Sequence, residues 1–340
     1  MKNRFPKIVQ ISLISIYLIF LAGSVVRMTG SGMGCPDWPK CFGYLIPPTS
    51  EEQITWKPNA EFKKGFIIIK DEVLFVAEKN IKTTASFNRT NWTNYTKHDY
   101  AKFNKYHTWT EYINRLTSVL AGFVFLFLIY GATKYWKTDR RIPYLAYAAF
   151  FLLLVEGAIG KMVVDTNLKP GVITIHMVLG LVIIALLLKL KFIVSDNKKK
   201  YNYNSIFNKL LIVSVVFSLI QIAMGTQVRQ FIDEQVKLFG FENKDYSLMN
   251  PSFKFYFHRS FTIAIVLVNL GLFYLNQIKN LGYKLVNWIV FLIFLETITG
   301  ILMYYAAFPL GTQATHLLVG AVLFGLQFYL WLQSRKTVIN

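Results

Sequence analysis

Eight apolar runs, each long enough to cross a lipid bilayer as a helix, constrain this chain more than any other feature of its sequence. With 54% hydrophobic residues and a mean hydropathy of +0.39, they exclude a soluble globular domain. Only helices satisfy their backbone hydrogen bonds in lipid at this segment length. We therefore predict an all-α polytopic membrane protein with helices at about 8–29, 112–134, 143–164, 172–194, 206–229, 257–277, 284–305 and 312–333.

The second half of the chain repeats the first. Three pairs of motifs recur in the same order, namely HMVLG and HLLVG, EGAIG and ETITG, and INRLTSVLAG and FHRSFTIAIV. Because each half holds an even number of spans, both halves enter the membrane from the same side. We therefore predict two tandem, parallel four-helix bundles with pseudo-twofold symmetry, one in residues 1–200 and one in residues 201–340.

Basic residues between the spans predict the orientation of the chain. Lysines and arginines are concentrated in the short connections on one side of the predicted bundles, and such connections face the cytoplasm. Both termini are therefore expected in the cytoplasm, in a bacterial inner membrane, with the first span retained because it lacks a small-residue cleavage pattern. The net charge of +19 is spread over these connections, so we expect contact with membrane lipid and none with nucleic acid.

The first outer connection carries both cysteines and an insertion. Cys35 and Cys41 lie on the side of the membrane where thiols oxidise, so a disulfide is expected there, and the nearby sequence lacks further metal ligands. This connection is about 58 residues longer than its counterpart, and we place the insertion at about 50–105. Within it, GFIIIKDEVLFVAEK predicts a short hairpin and NRTNWTNYTKHDY predicts a polar loop.

Four polar residues are expected in one layer, within about a turn of the outer ends of the even-numbered spans: Asn114, His176, His258 and His316. A histidine inside a membrane helix is costly unless it is paired or ligated. His258 and His316 lie on two helices of one bundle, an arrangement in which two histidines can bind a haem iron from both sides. Zinc is disfavoured because each half has too few clustered ligands, and the absence of CxxCH excludes haem c.

Glycines and arginines accompany these residues at matching positions. Gly180 and Gly320 each follow a histidine by four residues, where they either let a flat macrocycle approach the backbone or serve helix packing. Arg115 and Arg259 follow Asn114 and His258 directly, where they either pair with haem propionates or anchor helix ends at the membrane surface.

Three acids accompany the same layer. Glu111 shares a helix face with Asn114, and its counterpart in the second half is Phe255, so the first half looks like the reactive half. Glu156 and Glu296 are matched acids inside spans three and seven, which either relay protons or form hydrogen bonds between helices. His107 is expected in the loop before the second span, from which it could substitute as a ligand if the helix extends that far.

These residues resemble the motifs of the haem A synthase family. GSVVRMTGSGMGCPDWPKC is similar to the family's signature of Arg, Thr-Gly-Ser-Gly, Cys, Asp-Trp-Pro and a second Cys. EYINR resembles its Glu-x-x-His-Arg with asparagine in place of histidine, and HMVLG, FHR and THLLVG resemble its other histidine segments. The resemblance covers all eight spans and leaves out the insertion.

The resemblance implies an oxidoreductase that converts the C8 methyl of haem O, through hydroxylated intermediates, to the formyl group of haem A for cytochrome oxidase. It implies a haem b between His258 and His316 in the second half. In the first half it implies bound substrate haem O, with His176 as its iron ligand and Glu111 near the reacting methyl. It also implies the Cys35–Cys41 disulfide, and as partners a haem O synthase and an electron donor; a homo-oligomer is compatible with it.

Two other classes of protein compete with this interpretation. A dihaem b-type cytochrome that only carries electrons from a quinol explains the histidines equally well, but it gives no reason for Glu111 or the outer cysteines. A transporter fits an internal repeat but predicts helices broken at the midplane, whereas glycine and proline cluster here near helix ends. A prenyltransferase such as haem O synthase is disfavoured because an Asp-rich diphosphate motif is missing.

Overall fold

The computed structural model describes residues 4–96, 102–166, 170–195, 201–240, 248 and 250–335. Eight helices within these residues are long and apolar enough to cross a membrane, so the prediction of an all-α polytopic membrane protein is confirmed. They are α1 (Phe5–Met28), α2 (Lys105–Ala132), α3 (Arg141–Asp165), α4 (Pro170–Val194), α5 (Ser205–Phe239), α6 (Phe253–Ile278), α7 (Leu285–Tyr305) and α8 (Thr312–Ser334).

Helix α2 begins seven residues before its predicted start. The side chain of Asn104 caps it by accepting hydrogen bonds from the backbone N–H groups of Tyr106 and His107. The expectation that His107 lies in a loop is therefore wrong, because it belongs to the first turn of α2. Asn114 consequently lies more than two turns into the helix, not in its first turn as expected.

Helices contact one another in the same pattern in each group of four. In the first group α1 packs on α2 and α4, and α3 packs on α2 and α4; in the second, α5 packs on α6 and α8, and α7 packs on α6 and α8. Between the groups, α8 contacts both α1 and α4. Ala321 and Phe324 of α8 lie in the same buried cluster as Phe20, Phe125 and Leu181 of the first group.

A buried polar cluster distinguishes the second group of helices. Gln327 accepts a hydrogen bond from Ser218 at 2.7 Å and donates one to Asn269 at 3.2 Å, and Ser214 also donates to Asn269 at 2.9 Å. All four side chains are fully or almost fully buried. Polar side chains that bond one another across membrane helices stabilise a particular packing of those helices.

The insertion forms small antiparallel sheets outside the helices. Strands β1 (Glu61–Phe62) and β4 (Ile81–Lys82) pair in one sheet, while β3 (Val73–Ala77) lies between β2 (Ile67–Lys70) and β5 (Trp92–Asn94) in another. The predicted hairpin is confirmed as β2–β3, closed by a two-residue turn in which Asp71 and Glu72 have φ of 50° and 58°.

Strand β5 lies in the segment predicted as a polar loop. It pairs with β3, and Trp92 is buried at 4% exposure. The Trp92 ring packs edge-on against Phe62 with ring centroids 5.2 Å apart and stacks on Phe87. Burial of this one aromatic side chain therefore draws an otherwise polar segment into a strand.

Candidate functional site

His258 on α6 and His316 on α8 face each other. Their ring centroids are 6.4 Å apart, and the ring planes cross at 72°. Helix α5 lies behind His258, because Gln221 Nε2 donates a 2.9 Å hydrogen bond to the backbone oxygen of His258. A Cβ atom on Gly225 would lie 3.1 Å from His258 Cε1, so glycine leaves the ring its space. The two imidazoles thus come close together between α6 and α8 in the second group of helices.

Helix α7 lies behind His316. The Nδ1 atom of His316 is 2.9 Å from Glu296 Oε2 and 2.9 Å from the hydroxyl of Thr299. A Cβ on Gly320 would lie 3.8 Å from Glu296 Oε1, and a Cβ on Gly300 would lie 3.8 Å from His316 Cε1. Glu296, whose role the sequence left open, therefore bonds the histidine across helices.

The first bundle repeats this arrangement. His176 Nδ1 contacts Glu156 Oε2, and a Cβ on Gly160 would lie 3.8 Å from His176 Cε1. A Cβ on Gly23 of α1 would lie 3.8 Å from Asn114 Oδ1 of α2. Asn114 and His176 thus have the same kinds of neighbours as His258 and His316 in the second bundle.

The Asn114 side-chain oxygen is buried, and it has no hydrogen-bond partner among the described residues. Among the described residues the second site also holds buried atoms without a partner, namely His258 Nδ1, Gln221 Oε1 and Glu296 Oε1. The unpaired Asn114 amide is open to a hydrogen bond with a bound molecule.

Glu111 ties helix α2 to the cysteine loop. Cys35 and Cys41 form a disulfide, and the Cys35 N–H donates a 2.9 Å hydrogen bond to Glu111 Oε2. The Glu111 side chain is nearly fully buried and is also paired with Arg115, one helical turn later. The Glu111 carboxylate is thus fixed by the Cys35 backbone on the loop and by Arg115 on its own helix.

Arg115 makes most of its contacts with the same loop. Its Nη1 donates to the carbonyl oxygens of Asp37 at 2.7 Å and Lys40 at 2.9 Å. The donors that the sequence assigned either to haem propionates or to helix anchoring are therefore directed at the loop backbone. Gly34 allows the loop to lie directly against α2, because a Cβ there would be 2.5 Å from the backbone of His107.

Arg259 and Gly180 were also expected at the two sites, and Phe255 is the sequence counterpart of Glu111. Arg259 is exposed, and its guanidinium lies over the ring of Tyr256, 5.7 Å from the ring centroid. Phe255 is buried in the place that Glu111 has in the first bundle. A Cβ on Gly180 would lie 2.8 Å from the ring of Phe20, so this glycine serves helix packing between α4 and α1.

A charged cluster that the sequence analysis missed joins the ends of α1 and α5. Asp233 Oδ2 is 3.1 Å from Arg27 Nη2, and Asp233 Oδ1 is 2.7 Å from Arg229 Nη2. Arg229 also donates a 2.9 Å hydrogen bond to the backbone oxygen of Arg27. The i,i+4 spacing of Arg229 and Asp233 places both on one face of a helix and could have indicated this ion pair from the sequence.

Comparison with known proteins identifies the family of the chain. The family model described as cytochrome oxidase assembly protein, COX15-CtaA, matches residues 7–68 and 69–328. A protein of Shewanella oneidensis named heme A synthase is 23% identical, with the alignment covering 97% of this chain and 98% of that protein. Proteins of the same name from Lysinibacillus sphaericus and Bacillus mycoides are 22% and 23% identical, each over 99% of this chain and 98% and 96% of their own lengths. The chain therefore belongs to the COX15-CtaA family of cytochrome oxidase assembly proteins.

Proposed function

We propose that this protein is a haem A synthase, an oxidoreductase that converts the C8 methyl of haem O to a formyl group through hydroxylated intermediates. The family assignment and the full-length relatives named heme A synthase support this function. The observation that carries it is the pair of matched sites, of which one has two facing histidines and the other has one histidine, an asparagine and a nearby carboxylate.

The second half, residues 201–340, is proposed to hold a haem b between His258 and His316. Imidazole nitrogens bind first-row metals at about 2 Å, so two axial nitrogens would be about 4 Å apart. The centroids lie farther back than the nitrogens, so the observed 6.4 Å fits an iron between the rings. Gly320 narrows α8 beside the cleft proposed for this haem, and Arg259 is accessible to a propionate. A haem held by both histidines would supply electron transfer.

The first half, residues 1–200, is proposed to receive haem O. His176 would hold its iron, and Asn114, the counterpart of His258, is a weak ligand for iron, so this half would supply one strong ligand. Glu111 is the proposed catalytic residue, one turn before Asn114 on α2, and Arg115 holds it against the loop. Gly180 permits the packing of α1 that shapes this cleft.

The two halves are proposed to be tandem bundles related by a pseudo-twofold axis along the membrane normal. The matching helix contacts and matching neighbours of the two sites support this symmetry. With the termini cytoplasmic, both sites and the Cys35–Cys41 loop lie near the outer face. A haem O synthase would supply the substrate, an electron donor would serve the haem b, and the helices would face membrane lipid.

The test is to coexpress this protein with a haem O synthase in a host that makes no haem A, then extract and chromatograph the haems. Haem A or its alcohol intermediate is expected only when this chain is present. A matched control is Glu111→Ala, which should retain the haem b spectrum and yield haem O alone. Unchanged haem O with intact wild-type protein and a bound low-spin haem b would reject the proposed function in favour of a dihaem electron-transfer cytochrome.

A further inference from the structure

A carboxylate lies behind the histidine on α4 and behind the histidine on α8. Glu296 Oε2 is 2.9 Å from His316 Nδ1, and Glu156 Oε2 contacts His176 Nδ1. Both acids come from the neighbouring helix, α7 or α3, and both are largely buried, with 17% and 10% of their side chains exposed. Buried ionisable groups in membrane helices are costly and tend to have a functional partner. Here the partner in each case is a histidine.

A glycine lies beside each of the two carboxylates. A Cβ on Gly320 would lie 3.8 Å from Glu296 Oε1, and a Cβ on Gly180 would lie 3.8 Å from Glu156 Oε1. The helix that carries each histidine is therefore narrow where the acid approaches it. The same three-part arrangement of acid, histidine and glycine occurs in both bundles, so it is a built feature of the fold.

We infer that Glu296 and Glu156 are positioning residues that fix the orientation and tautomer of His316 and His176. A carboxylate that accepts a hydrogen bond from Nδ1–H leaves the Nε2 lone pair directed at the cleft. This role rests on the proposed function, because the cleft is the proposed haem position. A histidine held in this way is a stronger electron donor, which stabilises ferric over ferrous iron.

The two sites differ in one further partner. The hydroxyl of Thr299 is 2.9 Å from His316 Nδ1, while its counterpart in the first half is Ile159. Thr299 also lies 3.0 Å from the backbone oxygens of Leu295 and Glu296, which orient its hydroxyl hydrogen away from the ring. His316 Nδ1 therefore has two oxygens at 2.9 Å, whereas His176 Nδ1 contacts a single carboxylate, so His316 has the larger set of neighbours that fix its ring.

The test is a potentiometric titration, with electron paramagnetic resonance, of the purified full-length protein loaded with ferric protoporphyrin IX. Glu296→Gln is expected to raise the midpoint potential of the low-spin haem and shift its g values. Glu296→Asp should lie between that variant and the wild type, and Thr299→Val should shift the potential in the same direction by a smaller amount. Glu156→Gln, the matched control in the other bundle, should leave this haem unchanged.

An unchanged potential and unchanged g values in Glu296→Gln would overturn the inference, even if the variant were less stable. If Glu296→Gln remains monodisperse but loses the haem while Glu156→Gln keeps it, the inference is supported. If Glu296→Gln aggregates, Glu296→Asp and Thr299→Val decide, and wild-type potentials in both would overturn it. Failure of the wild-type protein to bind any haem is a different result, because it rejects the haem b site itself.

Discussion

The backbone N–H of Cys35 donates a 2.9 Å hydrogen bond to Glu111 Oε2, which joins the disulfide loop to helix α2 in the protein interior. Arg115 strengthens the junction because it pairs with Glu111 and also donates to the carbonyl oxygen of Asp37. The loop and the proposed substrate site are thus one structural unit. A change that removes the accepting oxygen of Glu111 is expected to affect both.

Glu111→Gln is expected to lower haem O conversion by about 100-fold, the scale of a lost general acid or base, and to leave the second-bundle haem spectrum unchanged. The amide oxygen can still accept from Cys35 N–H, so the loop should stay in place, whereas the charge that pairs with Arg115 is lost. Haem extraction and optical spectra on the same membranes measure both effects. Glu52→Gln, at an exposed position, is the control. Full conversion by Glu111→Gln would place the chemistry elsewhere.

Gly225→Ala and Gly23→Ala form a matched pair across the repeat. A Cβ on Gly225 would lie 3.1 Å from His258 Cε1, tighter than ordinary contact, whereas a Cβ on Gly23 would lie 3.8 Å from Asn114 Oδ1. We expect Gly225→Ala to displace the His258 ring and reduce the low-spin haem signal per protein, and Gly23→Ala to leave it intact. Haem stoichiometry and optical spectra of the purified variants check this. Equal spectra in both variants would show that the His258 ring does not ligate from this position.

The transmembrane helices were predictable from the sequence because hydropathy alone requires them, and the repeat then identified which histidines are equivalent. The start of α2 was not predictable in this way. Its first turn contains the polar segment KYHT, and what fixes it is the Asn104 cap together with the close approach of Gly34 to His107. Because that contact joins segments more than 70 residues apart, a local sequence pattern does not predict it.

The partners of charged side chains were equally hard to predict. Arg115 follows Asn114 in a position that suits a propionate, yet the loop before α2 offers it carbonyl oxygens. Glu156 and Glu296 were recognised as matched acids because the repeat aligns them, but only the packing of α3 on α4 and of α7 on α8 directs them at histidines. Repeats in a sequence identify equivalent residues, and the tertiary contacts assign their partners.

The cysteine loop is expected to have a pH-dependent stability that Asp37 sets. Burial raises the pKa of the Asp37 carboxyl above its usual value of 3.8. The hydrogen bond from the Gly43 N–H lowers this pKa, but the effect of burial is larger. The folded protein then binds this proton more tightly than the unfolded chain does. Stability from this group is therefore present below the unfolded pKa and falls as pH rises through the folded pKa, by at most about 1.4 kcal/mol per pH unit.

Asp37→Asn removes the titrating group, so its stability should vary less than that of the wild type as pH rises above the ordinary pKa of an aspartate. The readout is the slope of melting temperature against pH for the detergent-purified protein, because the absolute stability of the variant also depends on the buried amide. Asp71→Asn, at an exposed carboxyl in the insertion, is the control for a general charge effect. Identical slopes in the wild type and Asp37→Asn would contradict the prediction.

Asp233→Asn is expected to destabilise the junction between α1 and α5. Asp233 pairs with both Arg27 and Arg229, so its loss leaves two guanidinium groups close together without the carboxylate that bridges them. Because the Asp233 side chain is about one-third exposed, solvent screens the repulsion, and we expect a loss of about 1 kcal/mol and a lower melting temperature. Added salt should reduce the difference in stability between Asp233→Asn and the wild type.

The double variant Asp233→Asn/Arg229→Gln should regain part of the lost stability. The control Asp165→Asn, which removes a pair with a single lysine in α3, should lose less stability than Asp233→Asn. A double variant as unstable as Asp233→Asn would mean that repulsion between the arginines is not the cause.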